Sequence, residues 1–177
     1  MLELLLKRRS IRRFKDTSLP ADKIEQLLKA ALLSPSSRNI CPWEFIVVDD
    51  KELLKKLSQA KEHSASFLAG APLGIVVIAD QNKSDVWVED CSIVSIIIQL
   101  MAESLGLGSC WIQIRNRMYS SAKTAEEYIR ELLNIPANYG VESIIALGYP
   151  DEKKEPHREE DLQFNKVYLN GYNFPYK

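Results

Sequence analysis

The sequence predicts a layered domain, α/β or α+β, with one central sheet and helices packed against it. Two amphipathic helices open the chain, and apolar strands then alternate with helices as far as residue 147. The chain has 177 residues, of which 46% are apolar, and no linker long enough to divide them. We therefore expect a single domain over residues 1–177, large enough to bury a core without disulfides or metals.

Two helices and a loop precede the first strand. Residues 2–9 form a short helix with its leucines on one face. A second helix begins at Pro20 and runs to Leu32, because apolar residues recur there at i, i+3, i+4 and i+7. Residues 34–43 contain two prolines, three serines and an asparagine, which are turn formers, so a loop ends this helix.

The rest of the fold alternates apolar runs with helical patterns. The predicted strands are residues 44–49, 73–79, 107–114 and 141–147. The shorter predicted helices are residues 51–60 and 125–133, and Thr124 and Glu127 have the spacing of a capping box for the second of them.

Two segments indicate a surface shared with another chain. Residues 88–105 form a helix that is apolar on most sides, which predicts burial all round, either at the centre of the domain or at a subunit interface. The tail, residues 162–177, has five aromatic residues but no helical or strand period, so we expect it to become ordered by docking on another surface.

Composition excludes several classes of protein. A net charge of −1 and a pI near 6.2 disfavour a general polyanion binder. Three widely spaced cysteines and two isolated histidines argue against a disulfide framework and a metal site. Apolar runs stop well short of the roughly 20 residues that a membrane helix needs, and no secretory signal is evident, so we expect a cytoplasmic protein that binds neither membrane nor nucleic acid.

Basic charge is concentrated in residues 7–15, which contain six cations and no acid. Without these six, the chain has 17 Lys and Arg against 24 Asp and Glu, a remainder of −7. Arginines around a serine are suited to a phosphate, because guanidinium groups donate in pairs and the hydroxyl adds a short hydrogen bond. The alternatives are a solvated face, a targeting patch or a nucleic-acid contact.

Four motifs in order carry a family resemblance. They are Arg-Arg-Ser-Ile-Arg-Arg-Phe at 8–14, Pro-Ser-Ser-Arg-Asn-Ile-Cys-Pro-Trp at 35–43, Gly-Leu-Gly-Ser-Cys-Trp at 106–111, and Ala-Leu-Gly-Tyr-Pro at 146–150, followed by Lys153-Lys154 and Pro156-His157. Together they resemble the nitroreductase-like flavoproteins in their short form, and the resemblance covers essentially the whole chain.

The resemblance implies an α+β sandwich with a central, mostly antiparallel sheet flanked by helices. It also implies a homodimer with one FMN at each of two interface sites built from both subunits, and a C-terminal arm, residues 162–177, docked on the partner. The implied phosphate, ribityl or pyrimidine contacts are Arg8, Arg9, Ser10 and Arg12, with Lys154 or Arg158 as a late cation. The implied isoalloxazine contacts are Pro35, Ser36, Ser37 and Asn39 from the loop, and Trp111, Ile112 and Gln113 from the strand.

These residues also have ordinary interpretations. From composition alone, residues 34–43 are a loop that ends a helix, and Trp111 is a core aromatic. Within the basic run we place Arg8, Arg9 and Arg12 inward, and leave the other three cations to solvent or an interface.

The implied activity is that of an FMN-dependent oxidoreductase. NADH or NADPH would reduce the flavin, and a nitroaromatic, a quinone or a similar small oxidant would then reoxidise it in a ping-pong cycle. Since the cofactor carries the redox chemistry, no catalytic side chain is assigned. No Gly-x-Gly-x-x-Gly unit is present, so the nicotinamide would bind transiently over the flavin.

Two alternatives remain. One is an FMN-binding storage or sensing module, or a specialised flavoprotein without general reductase turnover. The other is a non-enzyme whose basic run binds nucleic acid or an acidic partner. One departure from the family pattern bears on substrate preference: Cys41 stands where the family usually has Gln, and we expect it to be a buried, inert thiol.

Overall fold

The computed structural model describes residues 1–63 and 65–177. The helices are α1 Leu2–Lys7, α2 Ala21–Leu32, α3 Lys51–Leu57, α4 Trp87–Ser104 and α5 Ala125–Leu133. The strands are β1 Trp43–Val48, β2 Leu73–Asp80, β3 Gly108–Gln113, β4 Met118–Ser120, β5 Lys123–Thr124 and β6 Tyr139–Gly148. All four predicted strands are confirmed to within two residues at each end.

One four-stranded sheet organises the domain. Its strand order is β1-β2-β6-β3, and all three neighbouring pairs are antiparallel. The layered α+β prediction is therefore confirmed. The hairpin β4–β5 was not predicted, because its strands have only three and two residues and no apolar run to mark them.

Helices cover both faces of the sheet. Helices α3 and α5 pack on one face, where Leu54 and Ile129 lie with Ile144 in one core cluster. Helices α2 and α4 pack on the other face, where Ile98 lies with Ile145 in a second cluster. Neighbouring residues of β6 thus enter opposite cores, as the two-residue period of a strand requires. Because both faces are covered, β2 and β6 read as nearly continuous apolar runs.

Helix α4 is not buried all round within one chain, so the first of the two predicted positions, the centre of the domain, is wrong. Val94 and Ile98 are fully buried, but Ile93 and Ile96 on the other side are 41% and 36% exposed. The same face borders an apolar cavity of about 250 Å³, with lining residues Met1, Leu4, Ala30, Ile97, Leu100, Met101 and Ser104. Of the two sequence interpretations, the subunit interface is the one that this exposed surface supports.

The predicted capping box is confirmed at the start of α5. The N–H of Glu127 donates to Oγ1 of Thr124 at 3.1 Å, and the N–H of Thr124 donates to Oε2 of Glu127 at 2.8 Å. No helix among residues 1–63 and 65–177 is long and apolar enough to cross a membrane.

The C-terminal arm, residues 162–177, folds back on itself and leaves apolar side chains outside. The N–H of Leu169 donates to the carbonyl of Phe174 at 2.8 Å, and that of Tyr176 donates to the carbonyl of Val167 at 2.9 Å. Phe174 is nevertheless 67% exposed. Docking of this arm on a partner stays a prediction.

Candidate active site

The basic run is extended and its backbone is fixed at both ends. The N–H of Ile11 donates to the carbonyl of Ser109 at 3.0 Å, which ties the run to the start of β3. The N–H of Lys15 donates to the carbonyl of Tyr149 at 2.9 Å, which ties its end to the segment after β6. The arginine side chains therefore project from a fixed backbone.

Glu152 holds the middle of the run. Its Oε1 accepts hydrogen bonds from the N–H groups of Arg12 at 2.5 Å and Arg13 at 3.1 Å, and its Oε2 pairs with Nζ of Lys154 at 3.1 Å. The backbone N–H of Arg12 above all, and then Lys154 and the N–H of Arg13, lower the pKa of Glu152 against the opposing effect of burial. The carboxylate thus fixes the backbone at Arg12 and draws a late cation to the run.

The run divides its cations between two sides. Arg8, Ser10 and Arg12 lie around the buried thiol of Cys110, whose pKa is raised by burial although these neighbours oppose the rise. Arg9 instead donates to the carbonyl of Glu155 and lines a separate cavity of about 230 Å³. Of the four predicted anion contacts, Arg8, Ser10 and Arg12 therefore lie together, and Arg9 lies apart from them.

The late cations also differ. Lys154 lines the same cavity as Arg9 and pairs with Glu152. Arg158 forms a two-pronged ion pair with Asp161 at 2.8 and 2.9 Å and a second pair with Glu160. Lys154 is therefore the late cation that the structure places beside the basic run.

A cleft of about 570 Å³ opens beside Arg12 at the β3 edge of the sheet, with lining residues Arg12, Lys61, Ser66, Phe67, Trp111 and Gln113. The Arg12 guanidinium lies 5.8 Å from the centroid of the Phe67 ring. Trp111 and Gln113 are joined by a 2.9 Å hydrogen bond from Nε1 to Oε1. Ile112, between them, is buried in the core, so only its backbone can contribute to this cleft.

The serine-rich loop is anchored to α4. The N–H of Ser37 donates to Oδ1 of Asp90 at 2.8 Å, and Asp90 is only 2% exposed. The N–H of Cys41 donates to Oγ of Ser36 at 2.8 Å. The two contacts fix both ends of a short turn.

Three non-glycine residues in this loop have left-handed backbone conformations. Arg38, Asn39 and Cys41 have φ values of 53°, 55° and 49°. Such conformations cost about 1–3 kcal/mol each and concentrate at functional sites. The expectation that Cys41 is buried is wrong, because its side chain is partly exposed and lies beside Ser36 and Asn39.

The loop and the cleft do not meet within one chain. The loop leads into β1 at Trp43, and the cleft borders β3, which is at the opposite edge of the sheet. Three inter-strand spacings of about 4.8 Å separate these edges, or about 14 Å. Residues predicted to line one flavin therefore form two separate groups in the monomer.

The buried carboxyl group of Glu142 contacts Gln113, one of the residues that line the cleft. Gln113 donates through Nε2 to Oε1 of Glu142 at 3.2 Å, and Glu142 is only 3% exposed. Its Oε2 has no hydrogen-bond partner in the described part of the chain. Burial raises the pKa of Glu142, against the hydrogen bond from Gln113 and the charge of Arg115, while Glu126 and Glu89 add to the rise.

We expect Glu142→Gln to be more stable than the wild type at pH 8 and about equal to it near pH 4.5. A carboxyl whose pKa is raised by folding loses stability as pH rises above its ordinary value of 4.5, because ionisation is harder in the folded state. The amide removes this loss, worth about 1 kcal/mol, and its oxygen can still accept from Gln113. Urea unfolding at the two pH values measures the difference; a gain that does not grow with pH would contradict the assignment.

A model of the "Nitroreductase family" matches residues 5–63 and 57–149 of the sequence. The chain belongs to the nitroreductase family. It is 42% identical to a candidate NADH dehydrogenase/NAD(P)H nitroreductase of Archaeoglobus fulgidus, over 93% of this chain and 92% of the relative. It is 25% identical to an FMN reductase [NAD(P)H] of Bacillus subtilis, over 96% of this chain and 75% of the relative.

Solved structures agree with this membership. An FMN-dependent nitroreductase from Clostridium difficile R20291 superimposes with a TM-score of 0.96 at 53% identity, covering 97% of this chain and all of that one. The nitroreductase fold predicted from the motifs is therefore confirmed.

Several residues of the candidate site were not predicted. Asp90 and Glu152 act through backbone N–H groups, and neither stands in a motif. Lys61 and Phe67 reach the cleft from the segment between α3 and β2, which has no recognisable pattern. Of these residues, Glu152 alone had a sequence signal, because it is an acid directly before the pair Lys153-Lys154.

Proposed function

We propose that this nitroreductase-family protein is an FMN-dependent oxidoreductase that takes electrons from NADH or NADPH and passes them to a small oxidant such as a nitroaromatic or a quinone. The observation that carries the proposal is the group Arg8, Ser10 and Arg12 beside the cleft of Trp111 and Gln113, in a chain that shares 53% identity with an FMN-dependent nitroreductase.

The residues present fit a flavin mononucleotide. Ser10 and the arginines offer hydroxyl and guanidinium donors for a phosphate and for the polar edge of the ring. None of the ion pairs in the described residues involves the side chains of Arg8 or Arg12. Trp111 and Gln113 supply an edge with an aromatic surface and an amide. Bound FMN would supply the redox chemistry, and the chain would bind it, orient it and leave one face open.

We further propose a homodimer in which the serine-rich loop of one subunit completes the cleft of the other. The loop is anchored to Asp90 on α4, and α4 also carries the exposed Ile93 and Ile96. An interface along α4 would take Ser36, Ser37 and Asn39 to the partner's cleft, which accounts for the separation of the two groups in one chain. The exposed apolar side chains of the arm, residues 162–177, would cover further surface of the partner.

The first test is an absorbance spectrum of the purified protein with identification of the extracted chromophore. We expect a yellow protein whose flavin absorbance is bleached anaerobically by NADH or NADPH and restored by a quinone such as menadione. Bound flavin that NAD(P)H does not bleach would favour storage or sensing instead. A colourless preparation that fails to take up added FMN would refute the proposal.

We expect Arg12→Ala to weaken FMN binding by at least tenfold and to leave the fold intact. A charge-assisted hydrogen bond contributes roughly 1.5–3 kcal/mol, which corresponds to roughly 10- to 100-fold in the dissociation constant. Arg13→Ala is the matched control, because that side chain is exposed and pairs with Asp151 at 3.6 Å. Titration of FMN fluorescence gives the affinities, and circular dichroism reports the fold. Equal affinities for the two variants would remove Arg12 from the site.

A further inference from the structure

A second group of cations borders the cleft at the end away from Ser10. Lys61 lines the cleft of about 570 Å³ together with Arg12, and it also lines two further cavities of about 460 and 400 Å³. Arg117 borders the last of these. We refer to the three cavities that share Lys61 as the depression, which extends from Trp111 to Arg117.

In the part of the chain that the structure describes, the cations of this depression have no acid partner. Among residues 1–63 and 65–177, no carboxylate lies within 4 Å of the charged groups of Arg12, Lys61 or Arg117. Glu62 lines two of the cavities but forms no ion pair there. Burial, and then the charge of Arg117, lower the pKa of Lys61. Cations held near one another without an acid are unfavourable, and a bound anion would relieve this repulsion.

The end of this depression at Lys61 and Arg117 is distinct from the proposed site for the cofactor phosphate at Ser10. Ser10 lies beside Ser109 at the start of β3, whereas Arg117 follows the end of that strand at Gln113. The six residues of β3 span about 17 Å at about 3.4 Å per step. A phosphate held at Ser10 therefore leaves Arg117 free for another anion.

We infer that Lys61 and Arg117 form an anion subsite at the mouth of the cleft, for a phosphate or carboxylate carried by the molecule that exchanges electrons there. This inference rests on the proposed function, since it assigns a chemical class to the substrate of the same cleft. The anion can come from either of two sources, the phosphates of the nicotinamide donor or an acidic group on the oxidant. A ligand whose ring stacks on Trp111 and whose anionic group pairs with Lys61 and Arg117 would contact both ends of the depression.

The test compares a charged and a neutral ligand of the same shape. The double variant Lys61→Gln/Arg117→Gln removes the subsite, and Lys55→Gln is the control, because that lysine is exposed on α3 and lines none of these cavities. The flavin-loaded protein is titrated with 4-nitrobenzoate and with 4-nitrobenzyl alcohol, and flavin absorbance reports binding. In parallel, KM values are measured for NADPH and NADH.

We expect the double variant to weaken 4-nitrobenzoate binding at least tenfold while the neutral alcohol changes less than twofold. This result assigns the subsite to the oxidant. A tenfold rise in KM for NADPH or NADH, with 4-nitrobenzoate unaffected, assigns it to the donor. If neither the anionic ligand nor the donors are affected, the inference is wrong.

Failure of the proposed function is detected separately. Calorimetric titration of the purified protein with inorganic pyrophosphate measures the anion subsite without any redox turnover. Binding that the double variant abolishes and Lys55→Gln retains supports the subsite even if NAD(P)H never bleaches the flavin. Pyrophosphate binding equal in all three proteins would overturn it.

Discussion

The double variant Ile93→Glu/Ile96→Glu is expected to be a folded monomer that retains almost no FMN. Both side chains are more than a third exposed in the single chain, so the glutamates can be solvated there. In the proposed dimer they would bury two unpaired carboxylates, which costs several kcal/mol. Since the loop of Pro35, Ser36, Ser37 and Asn39 would then no longer reach the partner's cleft, about a third of the predicted flavin contacts, four of thirteen, are lost with the interface.

Sizing by light scattering and flavin content by absorbance measure the two effects together. The conservative control is Ile93→Val/Ile96→Val, which keeps the surface apolar and should stay dimeric and yellow. A glutamate variant that is monomeric by light scattering and still binds FMN with wild-type affinity would show that one chain suffices for the site. A glutamate variant that stays dimeric would place the interface elsewhere.

Strand positions could be predicted from the sequence because each core strand is a local apolar run. The strand order β1-β2-β6-β3 could not be predicted, because β2 and β6 pair residues that are 59 to 74 positions apart, and such pairing leaves no local pattern in the sequence. The sequence also could not decide between the two predicted positions of α4, the domain centre and a subunit interface. Apolarity on all sides of a helix indicates burial, but it does not say whether the covering atoms belong to the same chain.

The candidate site likewise contains residues that could be predicted from the sequence and residues that could not. Motif resemblance named Arg8, Ser10 and Arg12, and the structure places these three together around Cys110; their contact with a flavin stays a prediction. The resemblance could not separate Arg9, because the direction of that side chain depends on the path of residues 155–157 beside the N-terminal helix. Lys61 was missed for a physical reason: cavity-lining positions in an irregular segment have no period to reveal them.

Gly108→Ala is expected to destabilise the protein by about 1–3 kcal/mol and to weaken FMN binding as well. A Cβ at Gly108 would lie 2.8 Å from both Cβ and Cγ2 of Ile11, well inside van der Waals contact. Ile11 cannot simply move aside, because its N–H is bonded to the carbonyl of Ser109 at 3.0 Å. Relief of the clash must therefore displace the backbone that carries Ser10 and Arg12, so that stability and cofactor affinity fall together.

The matched control is Gly70→Ala, where an added Cβ meets nothing within 4 Å. Its free energy of unfolding should change by less than about 1 kcal/mol, with FMN affinity unaffected. A second background tests the cause: Ile11→Ala removes Cγ1 and Cγ2, two of the three short contacts, so Gly108→Ala should cost less there than in the wild type. Urea unfolding and FMN titration of the four proteins in this cycle decide the matter. If the two substitutions are additive, the close approach of Gly108 to Ile11 does not position the basic run, and the run is held by its backbone hydrogen bonds to Ser109 and Tyr149 and by Glu152.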